Sequence, residues 1–273
     1  MQQFSASPKE IAASFWRNRD LIRALTKREV VGRYRGSVMG IAWSLFNPIL
    51  MLLVYTFVFS VVFKARWGAS GDESKTGFAI VLFVGMIVHG LFAECLNRAP
   101  GLILSNANYV KKVIFPLEIL PCVALGSALF HTAISLVVLL LAQLILSQQL
   151  VWTVLLFPCV LLPLVFATLG FAWFLAGLGV YVRDVGQITG MVTTVLLFLS
   201  PVFYPISALP EQYQTWLYLN PLTFIIEEGR NTLIFGKVPD VGTWGMMLAA
   251  GMLISWVGFV WFQKMRKGFA DVL

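Results

Sequence analysis

Few residues in this 273-residue chain are equipped for chemistry, and their positions limit what that chemistry is. Arg33 and Arg35 flank Tyr34, and no further charge follows until Lys64. Two guanidinium groups at such a border can hold a phosphate, such as that of a lipid head group, by charge-assisted hydrogen bonds. The plainer reading of the same arginines is a topology signal at a membrane surface. His89, Glu94 and His131 lie in or near other apolar runs, where an ionisable group is a functional candidate by default. Neither histidine has a second histidine or a carboxylate at ligand spacing, so both read as satisfied packing residues. Glu94 and Arg98, four residues apart, read as an ion pair that eases their burial.

Other catalytic signatures are missing from the chain. Cys95, Cys122 and Cys159 are isolated in apolar runs, which suits small buried hydrophobes better than a metal site or disulfide framework. There is no phosphate-binding loop, no nucleophile elbow and no H-E-x-x-H. No cofactor is expected in this chain, and energy for any uphill movement must come from another subunit.

The elements that would position these residues are membrane helices. Hydrophobic residues make up 59% of the chain and charged ones 12%, outside the range of ordinary soluble domains. A hydrocarbon core about 30 Å thick takes roughly 20 apolar helical residues to cross, and residues 38–63 supply 26. Further spans are expected at 78–98, 113–146, 151–182, 185–206 and 243–263, an all-α polytopic protein with six transmembrane helices in one domain, 1–273. Six spans put both termini on one side. Fifteen lysines and arginines then fall on that side against five on the other, which sets both termini in the cytoplasm. The net charge of +7 is mostly this asymmetry, so it implies membrane lipid and no nucleic acid as a partner.

Upstream of the first span no cleavable signal peptide is expected. Ser7-Pro8-Lys9-Glu10 has the form of a capping box with proline at the first helical position. Ile11, Phe15, Ile22 and Leu25 then share a helical face, predicting an amphipathic helix within 7–35 that lies in the cytoplasmic interface. Gly32, Gly36 and Gly40 recur every four residues, which fits either close approach of another helix or a local kink. Between the second and third spans, residues 99–109 suggest a short helix parallel to the membrane, with Glu118 placed to pair with Lys111 or Lys112. After the fifth span, residues 206–240 are too polar to cross. Asn220-Pro221 divides them into two short helices, one bearing Tyr213, Trp216 and Tyr218, the other a Glu227 to Arg230 pair. This predicts a broken re-entrant hairpin dipping into the outer half of the membrane.

Five stretches carry a family resemblance: "RDLIRALTKREVVGRYRGSVMGIAWSLFNPIL", "VKKVIFPLEILP", "VYVRDVGQITG", "SPVFYP" and "LNPLTFIIEEGR". In this order, and across about residues 10–267, they resemble the membrane subunit of ABC-2 type polysaccharide exporters, which export O-antigen, capsular polysaccharide and teichoic acid chains. O-antigen is the preferred polymer. The resemblance implies a homodimer with two copies of a cytoplasmic ATPase that holds the ATP and Mg. It implies a bacterial inner-membrane location and a polyprenyl-pyrophosphate-linked polysaccharide as cargo. Residues 99–109 would be the coupling helix, with Ser105, Asn106, Asn108, Tyr109 and Lys111 facing the ATPase and Arg183-Asp184 as a second contact. Residues 207–235 would be the periplasmic gate, containing Tyr213, Trp216, Tyr218, Glu227 and Arg230. Spans one and five of the two copies would line the channel.

A long glycan calls for many weak contacts that allow sliding, and aromatic rings stack on sugar C–H faces without demanding one orientation. Trp43, Tyr55, Phe59, Phe198, Phe203 and Tyr204 are the expected lining, against the alternative that span-end aromatics form the interfacial belt. Arg33 and Arg35 are the expected pyrophosphate ligands. Two other readings fit the same sequence: an ABC-2 exporter of small molecules, and a membrane-embedded transferase using His89, Glu94 or His131. The lack of a recognisable polar cluster speaks against the second.

Overall fold

A computed structural model describes residues 7–62, 75–110, 115–148, 150–218 and 220–273. Every regular element among them is helical. Five stretches are long and apolar enough to cross a membrane: Gly40–Phe59, Gly77–Gly101, Leu117–Leu146, Trp152–Tyr181 and Val241–Val272. The fifth expected span is shorter than foreseen. Its helix α8 runs Val185–Leu199, 15 residues or about 22 Å at 1.5 Å per residue. Pro201 drives Ser200 into extended backbone (φ −98°, ψ 151°), and the chain turns back over residues 201–204 instead of continuing to 206.

The N-terminal segment forms two helices, α1 (Pro8–Arg17) and α2 (Arg19–Arg33), broken at Asn18. The Ser7 hydroxyl accepts from the Glu10 backbone N–H at 3.2 Å, but the Glu10 carboxylate turns to Arg17 at 3.0 Å, so only half of the capping box forms. The expected common face also divides. Ile22 and Leu25 are buried against Ile119 and Val123, whereas Phe15 and its neighbour Trp16 face outward. Gly36 and Gly40 adopt φ of +85° and +54° and meet no neighbour, so these glycines make the turn between α2 and the first span rather than a helix contact.

Helix α4 (Lys75–Arg98) is the hub, packed by α3 (Trp43–Tyr55), α6 (Leu120–Ser147), α7 (Phe157–Tyr181), α8 and α10 (Pro221–Leu233). The closest helix pair is α7 with α11 (Val241–Met265). In lipid there is little hydrophobic drive to bring helices together, so small residues that let backbones touch do that work. A Cβ at Gly258 would collide with the Gly170 carbonyl, and one at Gly170 with the Ile254 carbonyl. Gly251 sits in the same way over Pro163. The N-terminal segment, the start of α6 and the end of α11 meet at Glu118. Its carboxylate accepts from Ser14 Oγ at 3.0 Å and Arg266 Nη1 at 2.6 Å, and its backbone carbonyl accepts from Trp173 Nε1 at 2.9 Å. Arg266, 148 residues away, is thus its cationic partner; Lys111 and Lys112 lie outside the described residues.

Candidate functional site

A cavity of about 410 Å³ opens between α3, α4, α6 and the end of α2. Helix periodicity explains its walls. On α4, Phe83, Met86, Ile87, Gly90, Leu91 and Glu94 fall at the three- and four-residue steps that share one face. On α3, Trp43, Asn47, Met51 and Tyr55 do the same, while α6 adds His131, Thr132 and Ser135. No atom stands within 4 Å of where a Gly90 side chain would begin, so this glycine leaves the α4 wall open.

At one end of the cavity Arg33, Tyr34, Glu94 and His131 form a single network. Arg33 Nη1 donates to Glu94 Oε1 at 2.5 Å. His131 Nδ1 stands 2.9 and 3.0 Å from the two Glu94 oxygens, and His131 Nε2 stands 3.1 Å from the Tyr34 hydroxyl. A carboxylate cannot donate, so the ring proton belongs on Nδ1, and Nε2 then accepts from Tyr34. Arg33 also lies 3.2 Å from Nδ1, a close approach of two donors that share Glu94 Oε1 as acceptor. Burial holds the Tyr34 phenol above its ordinary value, with Arg33 opposing and Glu94 adding to the rise, which keeps it a donor. Arg98, the partner expected for Glu94, keeps that ion pair at 3.9 Å and also hydrogen-bonds Glu29. Arg33, Tyr34, Glu94 and His131 form a polar cluster that the spacing in the sequence does not show. His89 is a packing residue as expected, buried with Nε2 2.9 Å from the Thr193 carbonyl.

The expected channel aromatics divide into two groups. Trp43 and Tyr55 line the cavity. Phe59 stacks on Phe203 at 5.7 Å between centroids, Phe203 neighbours Phe198 at 5.6 Å, and Tyr204 donates to the Phe198 carbonyl at 3.1 Å. Of this second group Phe198 is exposed, while Phe203 packs partly against the core. Arg35 is exposed and makes no ion pair among the described residues.

Residues 99–109 form a chain of short turns rather than one helix: 3-10 turns at Ala99–Gly101 and Leu104–Asn106, then α5 (Ala107–Val110). Ser105 Oγ donates to the Gly101 carbonyl at 2.8 Å and Asn106 Nδ2 to the Leu102 carbonyl at 2.9 Å, so both brace their own segment. Asn108 is exposed. Tyr109 stacks on Phe115 at 4.2 Å and accepts from Arg28 Nη2 at 3.0 Å, which ties the segment to α2. Arg183 and Asp184 are exposed in the turn before α8, and Lys111 is outside the described residues.

After α8, helices α9 (Glu211–Tyr218) and α10 form the expected broken pair. Asn220 caps α10 by accepting from the Leu222 N–H at 3.0 Å, and its amide reaches Ser200 Oγ at 2.8 Å. Tyr213, Trp216 and Tyr218 are exposed. Arg230 is fully buried, donating to Glu227 Oε1 at 2.6 Å and to the Val81 and Val202 carbonyls at 3.2 and 3.0 Å. Burial pulls its guanidinium down to about 10, with Glu227 countering, so it stays charged at neutral pH. Among the described residues no three His, Cys, Asp or Glu side chains meet as metal ligands.

Residues 20–234 match the family described as ABC-2 type transporter. Over 263 residues the chain is 27% identical to the O-antigen export system permease protein RfbA of Myxococcus xanthus, covering 96% of this chain and 98% of that protein. It is 23% identical over 255 residues to an RfbA protein of the same description from Klebsiella pneumoniae, covering 93% and 95%. It is 22% identical over 222 residues to the polysialic acid transport protein KpsM of Escherichia coli, covering 80% and 83%.

Proposed function

This chain belongs to the ABC-2 type transporter family, and from that premise we propose that it is the permease subunit of a polysaccharide exporter, with ATP hydrolysis carried by a separate subunit. The observation that carries this reading is the nearly end-to-end similarity to O-antigen export permeases. The cargo we assign is a polyprenyl-pyrophosphate-linked polysaccharide, O-antigen by preference, moved from cytoplasm to periplasm across the bacterial inner membrane. α8 with the turn after it completes a sixth crossing, both termini face the cytoplasm, and α1 with α2 lies in the interface.

Two copies of the chain enclose the channel. The outward apolar faces of Gly40–Phe59 and α8 support this, because they leave Leu53, Met191 and Phe198 exposed for a second copy to cover. Two ATPase subunits dock on residues 99–109 and on Arg183-Asp184. The Tyr109 contacts with Phe115 and Arg28 support that role, since they would pass a push on the loop to α2. α9 and α10 form the periplasmic gate, with the exposed rings of Tyr213, Trp216 and Tyr218 on its moving part and Arg230 anchoring it to α4. Arg35, with Arg33 beside it, meets the pyrophosphate.

Co-purification with the ATPase encoded beside it, followed by ATP turnover with and without lipid-linked glycan, tests the proposal. A stable complex stimulated by glycan is expected. A complex that ignores glycan and responds to small amphiphiles would replace it with a small-molecule exporter.

A further inference from the structure

We propose that the cavity between α3, α4 and α6 is a binding site for an uncharged pyranose unit of the transported glycan. The inference rests on the polysaccharide reading and adds a site within a single copy of the chain, separate from a channel between copies. Its volume of about 410 Å³ is within the range of small-ligand sites, roughly 300–1,000 Å³.

The lining suits a polyol. Trp43 and Tyr55 supply aromatic surface for sugar C–H faces, while Asn47, Thr132 and Ser135 supply amide and hydroxyl groups that make no side-chain hydrogen bond among the described residues. These groups face the cavity and can each donate to or accept from a hydroxyl of a ligand. Glu94 keeps unused acceptor capacity after receiving Arg33 and His131.

Charge argues against an anion in the same place. The positive charge of Arg33 is balanced by Glu94 at 2.5 Å, and His131 Nδ1 donates to the same carboxylate. A phosphate entering the cavity would meet the Glu94 carboxylate at close range, whereas a neutral sugar meets a balanced pair. Gly90 widens the α4 wall where a ring would lie.

The test uses the full chain, with its ATPase partner, in lipid nanodiscs and saturation-transfer NMR on methyl glycosides of glucose, mannose, galactose, rhamnose and N-acetylglucosamine. At least one glycoside should show ring-proton transfer. Asn47→Ala, at an exposed position, should weaken it roughly fivefold, the effect of one net hydrogen bond. Trp43→Ala should abolish it, and Trp152→Ala, remote from the cavity, should leave it unchanged. Binding of none of the glycosides, equal binding by the Asn47 and Trp43 variants, or displacement by sodium pyrophosphate overturns the inference. Glycan-stimulated ATP turnover on the same sample separates the two claims. A stimulated complex that binds no glycoside keeps the export reading and removes the sugar site, and a complex indifferent to glycan removes the export reading itself.

Discussion

The carboxylate of Glu94 on α4 and Nδ1 of His131 on α6 lie 2.9 Å apart, although 37 residues separate them in the chain. Together with Arg33 and Tyr34 they join the second and third spans to the end of α2 at the mouth of a cavity. A double-mutant cycle of Glu94→Gln and His131→Gln, read by thermal unfolding in detergent, should give a coupling of about 1 kcal/mol or more. Additive effects would mean that the two groups do not interact.

Arg33 and Arg35 should separate in their effects despite being two residues apart. Arg33→Gln removes the nearer of the two guanidinium partners of Glu94 and should lower protein level as well as export. Arg35→Gln removes an exposed charge and should lower export with protein level kept. Immunoblotting of membranes beside an export assay checks both, and loss of Arg35 without effect on export would remove it as a head-group ligand.

Burial of Arg230 predicts severe damage on its removal. Arg230→Ala strands Glu227 and the Val81 and Val202 carbonyls, at a cost of about 3–5 kcal/mol. Arg230→Lys should not restore stability, because one ammonium cannot span the three acceptors with a planar fork. Thermal unfolding of both variants measures this.

Gly258→Ala places a methyl group against the Gly170 backbone, where neither helix can yield without a shift, and should destabilise by about 1–3 kcal/mol. Gly186→Ala, with nothing within 4 Å and an ordinary helical φ, should be neutral or stabilising by up to about 1 kcal/mol. The contrast between the two, in melting temperature, isolates close packing from helix propensity.

Glu228 supplies a pH signature. Burial raises its carboxyl above the ordinary range, with a smaller lowering from Asn231, and Oε2 finds no partner among the described residues. A raised folded value means that stabilisation by the protonated form is complete below the unfolded carboxylate pKa and is lost as pH rises through the folded one. Glu228→Gln should therefore flatten the dependence of melting temperature on pH in that window and raise stability at neutral pH. A wild-type profile as flat as the variant's would sink the assignment.

Much of the architecture was legible in the sequence because membrane spans are written as long uninterrupted apolar runs, and a bilayer leaves helices as the main way to satisfy the backbone. Turn chemistry was legible at Asn220-Pro221, which caps α10, whereas Ser200-Pro201 ends α8 earlier than the 185–206 that hydropathy implied. The family motifs lay in the same local stretches. Partnerships were not legible. Glu94, His131 and Glu118 were each conspicuous as ionisable groups beside or within spans, but the first two find each other, and the third finds Arg266, only across helices. The spacing of Gly32, Gly36 and Gly40 fitted either a helix contact or a local kink, and Gly36 and Gly40 make a turn, while a close helix contact is made by Gly170 and Gly258 on two other spans. Local patterns fix which segments become helices, since each helix satisfies its own backbone. Which faces meet is set by matching small residues and charges between segments far apart in the chain, a choice that exists only once the helices are packed.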